Sequence, residues 1–257
     1  MTYTYYRKMI IGLLTCVILL GLTPLKSIAA SQDKVDRTKI DDYVASQMKQ
    51  THIPGLAIGI VKGNQTLYIK GYGDADTGRK VTGQTPFEIG SVSKSFTALA
   101  IMQLVEKGFI NLHTPVDKYL PWFKVYYENK SATITVRQLL NQNSGVPTFF
   151  DNDTKADVSI EQVSKENLNN LKLVNKPGTS FLYSNANYII LGEVVQAVSK
   201  QSYQDYVQKN ILTPLEMKHS YMSKKEAQKY GLAAGYRTWF GLPVKSDLAY
   251  FIGNIPC

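Results

Sequence analysis

Phe87-Glu88-Ile89-Gly90-Ser91-Val92-Ser93-Lys94 joins a loop to an apolar segment, Val92 to Lys107, which reads as a helix closed by Gly108. Phe96, Leu99, Ala100, Met102, Leu104 and Val105 lie nearly all round that helix, so it is expected to be buried. Ser91 and Lys94 form a Ser-x-x-Lys element. The same pattern recurs at Ser31/Lys34 and Ser46/Lys49, so the spacing alone says little. Ser31 lies in a polar stretch and Ser46 in the middle of an amphipathic helix; only Ser91 follows a glycine and opens a buried helix. Backbone N–H groups are unpaired at a helix start, and the helix dipole is positive there. A serine in that place has a donor at hand for the oxyanion that forms when its Oγ attacks a carbonyl. Lys94, three residues on, shares the helix face of Ser91. Burial favours the neutral form of an amine, and a neutral amine can take the serine proton. The same two residues also suit an N-capping serine and a snorkelling lysine.

A second element lies downstream. Phe181-Leu182-Tyr183-Ser184-Asn185 follows the turn Lys176-Pro177-Gly178-Thr179 and precedes a largely helical segment, Tyr188 to Val207. Tyr-x-Asn also occurs at Tyr127-Glu128-Asn129, in a charged stretch with no turn before it. Tyr183 can serve as a general base if a nearby ammonium holds its phenolate. Asn185 carries a donor and an acceptor, enough to bind a substrate amide and steady Lys94 together. An ordinary surface turn with an aromatic is the plainer alternative.

Upstream, Ile40, Val44 and Met48 mark an amphipathic helix over residues 35 to 49, and His52-Ile53-Pro54-Gly55 breaks it. Leu56 to Val61 and Thr66 to Tyr72, joined at Lys62-Gly63-Asn64-Gln65, read as a β-hairpin. Thr135 is placed to cap a short helix, Val136 to Asn141, ahead of Ser144-Gly145-Val146-Pro147. Beyond Gly231, glycines, prolines and aromatics alternate with no period, and no strand is expected there.

The 257 residues carry 29 Lys+Arg against 20 Asp+Glu, a formal charge of +9, and are 44% hydrophobic. That composition fits a globular chain with a core and not a disordered one. Residues 1–29 read as a secretory signal: Arg7 and Lys8, then the 14-residue apolar run Met9 to Leu22, then Ser27-Ile28-Ala29 as a small-x-small cleavage pattern. The run falls short of the roughly 20 apolar residues a membrane span needs. Without residues 1–29, which hold Arg7, Lys8 and Lys26 and no acid, the charge is +6 over 228 residues. The basic residues are scattered, so nucleic acid is not an expected partner. A basic exported chain suits an anionic cell envelope. Cys16 lies in the apolar run and Cys257 is the last residue, so the processed chain has no pair for an internal disulfide. His52, His113 and His219 stand far apart, and neither a metal site nor a cofactor is expected.

Taken in order, the two elements resemble the serine β-lactamase and penicillin-binding family, most of all its class C β-lactamase branch with D,D-peptidase and esterase relatives. The resemblance covers roughly Ile53 to Tyr236. It extends to Ile53-Pro54-Gly55-Leu56-Ala57, to Leu139-Leu140 through Ser144-Gly145-Val146-Pro147, and to Pro177-Gly178-Thr179. Many relatives carry His-Thr before that Ser-Gly, where this chain has Gln142-Asn143. The resemblance implies an α+β fold of the β-lactamase/transpeptidase type, an antiparallel sheet with a helical domain. Residues 30–257 would form the domain, with the sheet hairpin at 56–72 and the helical part at about 91–230. It implies Ser91 as acylated nucleophile, Lys94 assisting its deprotonation, Tyr183 as general base and Asn185 as contact to the substrate amide. No cofactor is implied. The substrate would be a small molecule or peptidoglycan-like: a β-lactam, a D-amino peptide or an ester.

One element of the family is missing. No His-x-Gly occurs after Asn185, and Lys-x-Gly occurs only at Lys176-Pro177-Gly178 and Lys229-Tyr230-Gly231, neither with a hydroxyl in the middle. In this family a strand carrying Lys-Ser/Thr-Gly or His-x-Gly supplies one of two oxyanion donors. The expectation is therefore a C-terminally truncated member whose C-terminal sheet strands are missing and whose hydrolysis is impaired. The alternative is a non-catalytic envelope binding protein or an inactive fragment.

Overall fold

The computed structural model describes residues 35–148 and 168–246. The signal segment expected at residues 1–29 and both cysteines lie outside the described residues. The chain divides into two units, Met1–Ile40 and Asp41–Cys257. Of the first, only residues 35–40 are described, and they include the start of helix α1, Arg37–Thr51.

In the second unit His52 leaves α1 in a left-handed conformation, φ 57°. Strand β1, Gly55–Lys62, then pairs antiparallel with β2, Gln65–Asp76. The register runs from Gly55 opposite Gly73 to Lys62 opposite Gln65, with one bulge between Ile60 and Val61. The hairpin read at 56–72 is thus longer at both ends. β2 continues to Asp76, where β3, Arg79–Lys80, folds back on it. Gly71 is required at this crossing: a Cβ there would lie 2.3 Å from the Val81 carbonyl oxygen.

Tyr68, Lys70 and Tyr72 alternate along β2 and so share one face. All three converge on Asp41: Tyr72 OH donates to its carboxylate at 2.6 Å, Lys70 Nζ at 2.7 Å, and Tyr68 OH also donates to it. The Lys70 hydrogen bond first, then those of the two tyrosines, hold the Asp41 carboxyl well below the usual carboxylate range. Burial and the carboxylate push the Tyr72 phenol far up, so it remains a donor.

The core lies among the helices. α2, Ser93–Glu106, packs on α4, Asn185–Ser199, and α5, Tyr203–Val207, while α3, Val136–Leu140, packs on α4. α4 is buried at every position from Ala186 to Val195. Thr135 caps α3 through a reciprocal pair: its hydroxyl accepts the Gln138 N–H, and the Gln138 side chain accepts the Thr135 N–H. Thr97 is fully buried and its hydroxyl bonds that of Tyr203 at 2.8 Å, tying α2 to α5. The all-round burial expected for α2 is not found. Ala100, Ile101 and Leu104 are buried, whereas Val92 before it, Leu99 and Met102 are exposed at 62%, 42% and 45%. The helix is apolar on every side but is packed on one, so hydrophobicity did not report which face has a partner.

A small mixed sheet flanks the helices in the order β5-β4-β6: β4 (Val125–Tyr127) is antiparallel to β5 (Lys130–Ala132) and parallel to β6 (Leu171–Lys172). Glu128 and Asn129 form the β4–β5 turn with φ of 49° and 59°, so the second Tyr-x-Asn is a hairpin turn. After α6, Lys224–Lys229, the chain makes a further hairpin, β7 (Tyr236–Trp239) and β8 (Leu242–Lys245). This corrects the expectation of no strand beyond Gly231. Its two-residue turn, Phe240-Gly241, has both φ positive, 47° and 79°. Phe in the first turn position, where Asn or Asp is the usual signal, concealed it. No described helix is long and apolar enough to cross a membrane.

The Asp41 cluster makes a pH prediction. A carboxyl held low in the folded chain contributes stability that is fully present above the ordinary carboxylate pKa of about 4 and is lost as pH falls below it. Asp41→Asn is expected to lower Tm at pH 7, with the gap to wild type narrowing as the pH drops below about 4. Thermal unfolding followed by circular dichroism across pH 2–8 checks this; a gap independent of pH contradicts it.

Candidate active site

Gly90–Val92 forms a single 3₁₀ turn with Gly90 at φ 51°, and α2 begins directly after it. Ser91 therefore lies in the turn leading into the helix, and Lys94 in the first turn of α2. Tyr183 closes the loop before α4, Ser184 is the extended residue at its N-cap, and Asn185 is its first residue. Packing of α2 on α4 brings the two segments together.

The four residues singled out from sequence meet. Ser91 Oγ and Tyr183 OH are 2.7 Å apart. Lys94 Nζ donates to Ser91 Oγ at 3.1 Å and to Asn185 Oδ1 at 2.8 Å. Lys94 is 8% exposed, so its ammonium sits in a nearly dry place between two oxygens and two aromatic rings. The Tyr183 ring centroid lies 5.0 Å away and that of Tyr188 5.7 Å. Such a cation stabilises a phenolate more than a phenol, which suits a tyrosine that accepts a proton. Burial, then the proximity of Tyr183, pushes the Tyr188 phenol up, and its hydroxyl donates to the Leu140 carbonyl at 3.2 Å.

Behind these residues is a buried polar network that the sequence did not disclose. Ser144 Oγ donates to Asn187 Oδ1 at 2.6 Å, and Asn187 Nδ2 donates to Gln142 Oε1 at 2.5 Å. Ser184 Oγ donates to the Pro147 carbonyl at 2.7 Å. Ser144, Ser184 and Asn187 are each 0% exposed. Gly145 lets the loop pass: its φ is 81°, and a Cβ would lie 2.0 Å from the Asn175 carbonyl oxygen. Neither Lys-x-Gly segment lies in a strand. Lys176-Pro177-Gly178 is the turn before Tyr183, and Lys229-Tyr230-Gly231 runs from the last residue of α6 into the turn after it.

Ser91 Oγ thus lies within hydrogen-bond reach of both the buried lysine and the tyrosine. The family model described as Beta-lactamase matches residues 40–250. The chain belongs to the β-lactamase family. Protein flp of Staphylococcus aureus (strain MW2) is 37% identical over 223 residues, covering 85% of this chain and 45% of the relative. The teichoic acid D-alanine hydrolase of Staphylococcus aureus is 31% identical over 216 residues, covering 82% and 50%. Among solved structures, the octameric penicillin-binding protein homologue from Pyrococcus abyssi superposes with a TM-score of 0.71 at 34% identity, covering 82% of this chain and 50% of that one. A class C β-lactamase superposes at 0.70 with 25% identity, covering 88% and 61%. The chain spans about half the length of the relatives it matches. The fold is of the β-lactamase/transpeptidase type, and the class C resemblance read from the motifs holds.

Lys94 and Asn185 depend on each other. Asn185→Leu removes an acceptor from a buried ammonium and is expected to cost about 1–3 kcal/mol of stability. Adding Lys94→Met to it is expected to return most of that loss, because no charge is then left without its partner. Urea denaturation of the two single variants and the double variant measures the coupling; additive losses contradict it.

Proposed function

We propose that the chain is an exported serine hydrolase working through an acyl-enzyme in the cell envelope. Its substrate would be a β-lactam, a D-amino peptide or an ester. The observation that carries this is the position of Ser91 Oγ, within hydrogen-bond reach of both Tyr183 OH and Lys94 Nζ. The signal-like residues 1–29 support export. The relative named teichoic acid D-alanine hydrolase supports a D-alanyl group as the acyl donor.

The steps follow from the geometry. Tyr183, as phenolate beside the Lys94 ammonium, takes the proton of Ser91 Oγ while the oxygen attacks the substrate carbonyl carbon. Asn185 holds the acyl side chain through its amide. The tetrahedral adduct collapses with loss of the amine or alcohol, which takes the proton from Tyr183. Water, giving a proton to Tyr183, then attacks the acyl carbonyl carbon; the bond to Ser91 Oγ breaks, the acid leaves, and Tyr183 returns the proton to Oγ. Because the sequence has no Lys-Ser/Thr-Gly or His-x-Gly element, we propose that one oxyanion donor is wanting. Loss of one such donor lowers turnover by about 10²–10³. That same absence favours the second reading, a non-catalytic envelope binding protein or inactive fragment.

Fluorescent penicillin, nitrocefin and a p-nitrophenyl ester decide between them. Covalent labelling of the wild type that disappears in Ser91→Ala supports the hydrolase. Tyr183→Phe is expected to slow labelling by about 10²–10⁴. A folded wild type that binds without labelling supports the binding protein. Turnover equal to that of a full-length relative overturns the impairment.

A further inference from the structure

We infer that Gln142 is the positioning residue for Tyr183, an inference that rests on the acyl-transfer reading of the site. Gln142 holds the chain on both sides of the tyrosine. Its carbonyl oxygen accepts the Leu182 N–H at 2.7 Å, and its side-chain Oε1 accepts the Ser184 N–H at 2.9 Å. The residues before and after Tyr183 are thus fastened to one residue, once by its backbone and once by its side chain. The pairing continues at Gly178, whose N–H donates to the Asn143 carbonyl at 2.7 Å.

Three further observations show that the side chain is there for its oxygen. Gln142 is 6% exposed, so that oxygen has no water to compete with it. Its backbone is left-handed at φ 57°, a conformation that glycine adopts at lower cost. Its Nε2 has no hydrogen-bond partner among the described residues, whereas Oε1 accepts twice, from Ser184 N and from Asn187 Nδ2. A strained backbone and an unmatched donor are tolerated at the one residue whose oxygen reaches the Ser184 peptide. Through Asn187 the same oxygen is joined to Ser144, so the loop 142–146 is tied to the start of α4.

Tyr183 needs this support. It is 42% exposed, so packing constrains its ring only in part, and the anchored backbone on either side sets where its side chain begins. A shift of about 1 Å in a reacting group can cost on the order of 10² in rate.

The test replaces the acceptor at constant length. Gln142→Met keeps the volume and removes Oε1; Gln142→Glu keeps an acceptor oxygen in either protonation state. Two quantities are read in the full chain: the rate constant and the amplitude of Ser91 labelling by fluorescent penicillin, and hydrogen exchange at the Leu182 and Ser184 amides. Gln142→Met is expected to lower the rate constant about 10- to 100-fold with the amplitude retained, and to speed exchange at Ser184. Gln142→Glu is expected to restore both. A loss of amplitude at an unchanged rate constant means a structural role only and overturns the inference, as does unchanged exchange at Ser184 in Gln142→Met. If the wild type is not labelled at all, the acyl-transfer reading falls by itself, and the exchange result alone decides whether Gln142 anchors the Tyr183 backbone.

Discussion

The Lys94 ammonium holds the site together. It donates to Ser91, three positions away on its own side, and to Asn185, 91 positions away across the interface. A charge buried to this degree is stable only where oxygens and ring faces replace the water it has lost. The helices α2 and α4 must therefore meet in one register, the one that puts Asn185 Oδ1 against Lys94 Nζ in the first turn of α2. The apolar face of α2, with Ala100, Ile101 and Leu104, and the buried length of α4 give that packing its strength. The ammonium gives it its alignment. The same charge faces the Tyr183 ring, so the group that fixes the architecture also biases the chemistry.

Several backbone positions around this point are left-handed, at a cost only where the residue is not glycine. Gly90, Gln142, Gly145 and Gly178 all have positive φ. Two of them adjoin functional side chains in sequence or space: Gly90 precedes Ser91, and Gln142 bonds the residues flanking Tyr183. Buried polar groups around them are satisfied largely by one another, in the chain Ser144–Asn187–Gln142–Ser184. Networks of this kind are specific because a member placed wrongly leaves its neighbours without partners.

Much of this was legible in the sequence, and what was not has physical reasons. Ser91, Lys94, Tyr183 and Asn185 could be picked out because each stands at a helix boundary, where a glycine, a Pro-Gly turn or a cap marks the position locally. The hairpin of β1 and β2 was visible from its β-branched residues and its Gly-Asn turn. The half-exposed state of α2 was not, because composition records that a face is apolar and not whether another element covers it. The β7–β8 hairpin was hidden by Phe240 in a turn position that most turns give to a small polar residue. Gln142 and Asn187 were silent because a buried amide network has no spacing rule: its members come from separate loops and are joined only by tertiary structure.

Arg79 carries a consequence for how the chain reaches this state. Its guanidinium donates to the Gly231 and Leu232 carbonyls, 152 and 153 residues away, while the Ala234 N–H donates to Ala75 O and Lys245 pairs with Asp76. The outer edge of the earliest strands is thus completed by residues synthesised more than 150 positions later. Closing loops of that length is slow relative to local helix formation. During synthesis the β2–β3 edge must wait unpaired for those later residues, so the helices around Ser91 can consolidate before the sheet edge does. Until Arg79 finds its carbonyls, that edge is open to pairing with a neighbour's strand.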